Sequence, residues 1–131
     1  MTTQNLTTDK IEALEAVTKQ PFLLTFASKE LKADREIVLA AVTQDGLALR
    51  FANDELCNDR EIALAAVTNL PKALKYASAE LRNDRDVVIV AVSQDDRTLV
   101  YASEELQADR KIVLIATPQN ARAIMLERAS S

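Results

Sequence analysis

Histidine and tryptophan are absent from this 131-residue chain, and glycine and cysteine each occur once. Without histidine there is no Ser-His or Cys-His nucleophilic pair and no histidine-bearing zinc site. One glycine builds neither a phosphate-binding loop nor a dinucleotide fingerprint, and one cysteine supplies neither an intrachain disulfide nor a cysteine-rich metal site. No catalytic residue, metal set or cofactor motif is legible, so a non-enzymatic role is expected. Long apolar runs are also missing: the blocks at residues 37–42 and 87–92 are six residues each, far short of a membrane span. The opening MTTQNLTTDK lacks the apolar run of a secretory signal. With an unpaired thiol, this points to a cytoplasmic location.

What is present suits a folded protein. The chain is 48% hydrophobic and 27% charged, which fits a single domain over residues 1–131. The net charge of -4 argues against nucleic acid or an anionic membrane as the main partner, since both need a dominant basic surface.

The strongest signal is repetition. Asp34-Arg35, Asp59-Arg60, Asp84-Arg85 and Asp109-Arg110 follow one another at intervals of 25 residues, with Asp9-Lys10 one period earlier. Five copies therefore start at residues 9, 34, 59, 84 and 109. The copies at 34 and 59 agree at 15 of 25 positions without a gap. Such a period marks a solenoid whose units bury their apolar faces only against neighbours.

Each copy is expected to form two short helices and a turn. The Asp suits an N-cap, with Glu36, Glu61 or Asp86 in the first turn. An apolar block follows (IVLAAV, IALAAV or VVIVAV), with no polar face of its own, so the first helix is expected to be buried nearly all round, Leu64 included. Asp45, Asp95 and Asn120 suit caps for the second helix, and Pro21 and Pro71 its first position. Ser28, Asn53, Ser78 and Ser103 then cap a final turn. A strand-plus-helix unit resembling a leucine-rich repeat competes, because VVIVAV also suits a buried strand. EALEAV and IALAAV in the same column are strong helix formers, and one glycine is too few for the turns of such a repeat. The fold class expected is all-α: a short α-solenoid whose first and last copies are degenerate caps.

The pattern DREIVLAAV followed by ALxYASxEL resembles the tandem repeats of a microbial family known as a domain of unknown function, number four-one-one-six. The match is close over residues 34–117 and loose over 9–33, where Lys10 replaces the usual Arg and Glu12 replaces Ile or Val. The resemblance implies a helical repeat and brings no activity, cofactor or site residue.

Four features bear on function. The Asp-Arg ladder, with Glu30, Glu55, Glu80 and Glu105 four residues ahead of each Asp, resembles a carboxylate site for acid-base work. Its recurrence in every copy favours repeat-to-repeat ion pairs. The aromatic column Phe26, Phe51, Tyr76 and Tyr101 suits either base stacking, one per repeat, or filling of the gap between layers; the second is expected. Cys57 shares a column with Lys32, Arg82 and Gln107 and is expected at the surface, without a base to activate it. Finally, two columns three residues apart on the second helix gather Arg50, Lys72, Lys75, Arg97 and Arg122 on one face with almost no acid. This basic stripe is the candidate contact for a protein partner bearing an acidic segment, with single-stranded nucleic acid as the alternative; an enzyme with a carboxylate site is the last reading.

Overall fold

The computed structural model describes residues 2–116, with side chains from residue 10 onward. The order of elements is α1 (Thr2–Lys19), η1 (Pro21–Phe26), α2 (Lys29–Lys32), α3 (Arg35–Gln44), η2 (Gly46–Phe51), α4 (Asp54–Cys57), α5 (Arg60–Asn69), η3 (Pro71–Tyr76), α6 (Ala79–Arg82), α7 (Arg85–Gln94), η4 (Asp96–Tyr101), α8 (Glu104–Gln107) and α9 (Arg110–Ala116), where η denotes a 3-10 helix. The described residues contain no strand. Repeating helical units of about 25 residues pack one after another into a short solenoid.

The units that begin at residues 34, 59 and 84 are each a ten-residue α-helix, a six-residue 3-10 helix and one short α turn, so the second helix expected from sequence is wound more tightly than an α-helix. Its apolar positions explain the winding. Ala48 and Leu49 point inward while Leu47 and Arg50, three apart, stay outside. In a 3-10 helix residues i and i+3 eclipse one another, so a three-residue period keeps one edge dry. The amides of Ala48 and Ala52 donate to the carbonyls of Asp45 and Leu49, the i to i+3 bonds this winding requires.

The caps form where their chemistry places them. The Asp34 carboxylate accepts from the amides of Glu36 and Ile37, and Asp59, Asp84 and Asp109 accept from Ile62, Val87 and Ile112. Asp45 and Asp95 cap η2 and η4, while Pro21 and Pro71 open η1 and η3. Ser28, Asn53, Ser78 and Ser103 accept from the amides of Leu31, Leu56, Leu81 and Leu106. Asn120 lies outside the described residues.

The α-helices stack in one layer, α1 on α3 on α5 on α7 on α9, and the 3-10 helices stack in a second, η1 through η4. The core lies between them and is aliphatic: Leu24, Ile37, Val42, Leu49, Ile62, Val67, Leu74, Val87 and Ile112 are fully buried. Thr98, the one buried polar residue among those described, donates its hydroxyl to the Asp95 carbonyl. Burial all round the first helix does not occur. In α3 the residues Ile37, Val38, Ala41 and Val42 are buried, but Leu39 and Ala40 are half-buried, and Leu64 is half-buried in α5. Two layers leave the outer side of each α-helix without a neighbour.

Several kinds of bond tie unit to unit, among them the hydroxyls of Ser78 and Ser103 donating to the Asn58 and Asn83 side chains and the Gln94 amide donating to the Val67 carbonyl. Backbone amides of Asn53, Ser78 and Ser103 donate to the carbonyls of Lys32, Cys57 and Arg82 at 2.9–3.2 Å. Arg35 pairs with Asp59 at 2.8 Å and Glu61 at 3.0 Å, Arg60 with Asp84 at 2.9 Å and Asp86 at 2.6 Å, and Arg85 with Asp109. Lys10 does the same for the first joint, reaching Asp34 at 3.1 Å. The Asn69 side chain donates to the carbonyls of Thr43 and Gln44 and accepts from the Gly46 amide at 2.7 Å.

That clasp brings Gly46 against the next unit. Gly46 does not use the left-handed region open to glycine; it is needed for space, because a Cβ there would overlap the Ala66 carbonyl oxygen and press on Leu70. Gly46→Ala is expected to destabilise by about 1–3 kcal/mol, the usual cost of overpacking. A chemical-denaturation midpoint equal to that of the parent protein would contradict this.

The ladder makes stability sensitive to acid. The Arg35 side chain holds the Asp59 carboxyl below its ordinary range against a smaller effect of burial. Burial pushes Asp84 up, but the bond from Arg60, the Val87 amide and the Arg60 charge together bring it below its ordinary value. The Ile112 amide leads the same lowering at Asp109. A carboxylate depressed on folding contributes stability that is complete above its unfolded pKa, about 3.9, and is lost as pH falls through the folded value. The melting temperature should therefore hold from neutrality to about pH 5 and fall below about pH 4. Melting curves between these limits check it, and a loss that begins above pH 6 would place the sensitivity elsewhere.

Candidate binding face

The outer edge of the 3-10 layer is a ridge crossed by four parallel helices. The 25-residue repeat places positions 22, 47, 72 and 97 in one column and 25, 50, 75 and 100 in another, and eclipsing of i with i+3 puts both columns on one edge. Arg50, Lys72, Lys75 and Arg97 are all exposed there; Arg122 lies outside the described residues. The four are not equivalent. Arg97 bonds to Asp95, the cap of its own helix, at 3.0 Å, which spends its charge locally. Among the described residues, Arg50, Lys72 and Lys75 have no carboxylate within ion-pair distance. The centre of positive charge is thus on η2 and η3.

The aromatic column meets the sequence expectation in part: Phe51, Tyr76 and Tyr101 pack against the core from its rim, whereas Phe26 does not. Phe26 is 77% exposed, and Phe51, Tyr76 and Tyr101 are half-buried on the ridge. The inward positions beside them, Leu24, Leu49 and Leu74, already fill the interlayer space. Phe22 also lies on this edge, 55% exposed. Of the five aromatic residues, Phe22 and Phe26 are exposed, while Phe51, Tyr76 and Tyr101 present only part of their rings beside the cations. The Arg50 guanidinium carbon sits 4.9 Å from the centre of the Phe51 ring and 6.0 Å from that of Tyr76, and the Lys75 ammonium is 5.6 Å from Tyr76. These are cation-π distances, and two cations share one tyrosine. Leu47, Lys72, Lys75, Tyr76 and Tyr101 line a cleft of about 210 Å³ between η2, η3 and η4.

The other sequence candidates fall elsewhere. The Asp-Arg ladder runs along the opposite termini of the α-helices and is committed to joints between units. Glu30, Glu55, Glu80 and Glu105 are exposed and take no part in it; its second carboxylates are Glu36, Glu61 and Asp86. Cys57 is half-buried rather than at the surface. Its thiol reaches the Leu49 carbonyl at 3.4 Å and that of Ala52 at 3.8 Å, and Gln107 likewise donates to the carbonyls of Val100 and Ala102. What Cys57 and Gln107 share is a donor for carbonyls at the end of a 3-10 helix, that of Leu49 also accepting from the Ala52 amide. Burial, then the Asp54 charge, pushes the Cys57 thiol up. Iodoacetamide should consequently modify Cys57 far more slowly in the folded protein than in urea, and equal rates would contradict the assignment. The described residues contain no cluster of His, Cys, Asp or Glu able to hold a metal ion, and no helix among them is long and apolar enough to cross a membrane.

Neither a curated protein nor a solved structure matches the chain. One family profile does, described as "Domain of unknown function (DUF4116)", at residues 9–57, 34–82, 59–107 and 84–130. Each match takes in two consecutive 25-residue copies, and successive matches begin one copy later. With its repeats covered in this way from residue 9 to residue 130, the chain belongs to the DUF4116 family of helical repeats.

Proposed function

We propose that this chain is a non-catalytic binding module which holds an acidic segment of another protein across the ridge of 3-10 helices. One observation carries the reading: Arg50, Lys72 and Lys75, with no carboxylate at ion-pair distance among the described residues, stand exposed beside the half-buried rings of Phe51, Tyr76 and Tyr101. Aromatic residues and arginine are the types enriched at interface centres, whereas in a folding core they would be inside. The charge of Arg50, Lys72 and Lys75 selects a negative partner despite the net charge of -4.

A single strand of nucleic acid is the second reading, favoured by an aromatic in each repeat. The cations over Phe51 and Tyr76 occupy ring surface that bases would use, and the overall negative charge opposes a long polyanion. Catalysis is disfavoured because the Asp-Arg pairs recur at successive joints, whereas an active site is normally unique. A reducing compartment, the cytoplasm, suits the free Cys57.

The test uses the protein as bait in extract of its host, beside the Lys72→Glu/Lys75→Glu variant. A protein retained by the first and lost by the second supports the reading. Identical retention by both, or retention of RNA with a steep salt dependence, overturns it.

A further inference from the structure

The ridge changes character along its length. At the first repeat it is apolar, with Phe22 and Phe26 exposed and no acid beside them on η1. At the second and third it is cationic. The difference has a structural origin. Phe51 lies in a groove with Lys29, Glu30, Lys32 and Ala33, the short turn of the preceding unit. Ahead of Phe26 the chain is the uninterrupted helix α1 instead, so no such turn covers the ring.

Resting on the function proposed above, we infer that the ligand is an extended acidic segment carrying one bulky apolar side chain at a set distance from its carboxylates. The apolar group packs on Phe22 and Phe26, and the carboxylates meet Lys72 and Lys75 on η3 at the cleft lined also by Leu47, Tyr76 and Tyr101. Neighbouring helices are about 8–10 Å apart, so η1 and η3 are separated by roughly 16–20 Å. An extended chain advances about 3.3 Å per residue, so about six residues bridge the two sites. An α-helical ligand fits less well, because it needs a continuous apolar groove and this ridge alternates rings with cations.

Three fluorescein-labelled peptides test this by anisotropy: a Glu triplet in a Gly-Ser chain, the same with Phe two residues from the triplet, and the same with Phe six residues away. The six-residue peptide should bind at least about tenfold tighter than the peptide without Phe, about 1.4 kcal/mol, and the two-residue peptide should gain little. Phe22→Ser/Phe26→Ser should remove the gain and leave the Phe-free peptide's affinity unchanged. Both rings are exposed, so that variant should keep its circular dichroism spectrum. Equal affinity of the three peptides, or a gain that survives the Phe substitutions, overturns the inference while leaving the acidic-partner reading standing. Failure of Lys72→Glu/Lys75→Glu to weaken the Phe-free peptide overturns both.

Discussion

Reversing Lys72 and Lys75 to glutamate should slow capture of the partner at least about tenfold at low salt, with a much smaller effect at high salt. Both lysines are exposed, and Lys75 adds only a cation-π contact to Tyr76, so the melting temperature should move by no more than a few degrees. Lys72 and Lys75 follow one another along one edge of η3, about 6 Å apart, and Arg50 lies about one helix spacing away, close to the Debye length at physiological salt. Their fields therefore add when salt is low and separate when it is high. Arg97 makes a poor third member of the set: it is engaged with Asp95, and reversing it would bring three carboxylates together at the start of η4. Arg50→Glu is the better addition. Unchanged association rate and salt dependence in the double variant would reduce the ridge to a solvated face.

The second large effect is on stability. Leu74 is fully buried on η3, between the two layers in the middle of the described array. Leu74→Ala should cost about 2–5 kcal/mol, the range for deleting a buried leucine side chain whose cavity cannot collapse. Against a typical total of about 5–15 kcal/mol, this approaches unfolding. Leu64→Ala removes the same atoms from a half-buried site on the outer side of α5 and should cost less than about 2 kcal/mol. Urea denaturation of the two variants decides the matter. Equal losses would mean that the inner and outer sides of the layers are wrongly assigned.

The scaffold was largely legible because its determinants are local. A capping aspartate needs only the amides two or three residues ahead, so Asp34, Asp59, Asp84 and Asp109 announce their helices in the sequence, as do Ser78 and Ser103 for the short turns. The ladder followed from its recurrence. Three things were less visible, each decided by tertiary geometry. The spacing of Leu47 and Arg50 fits one face of an α-helix or one edge of a 3-10 helix, and only packing against the α layer selects the tighter winding. The aromatic column repeats every 25 residues whether it faces in or out, and the neighbouring Leu49 and Leu74 had already taken the inward direction. A signal did exist in the pairs Arg50-Phe51 and Lys75-Tyr76, where a cation adjoins each ring. Cys57 stands in a column of polar residues, which points to the surface; the carbonyls of Leu49 and Ala52 that it reaches come within range only once η2 has formed.

The division of labour between the two edges of each repeat is tested most directly by nuclear magnetic resonance. Isotope-labelled protein would be titrated with the protein that it retains from its host, and the shifted backbone amides mapped. The changes should concentrate at residues 46–51 and 71–76, extend to 22–26, and leave the Asp-Arg joints and the outer sides of α3, α5 and α7 unmoved. Shifts centred on Asp59, Arg60, Asp84 and Arg85, with the 3-10 helices silent, would contradict the account and transfer binding to the ladder.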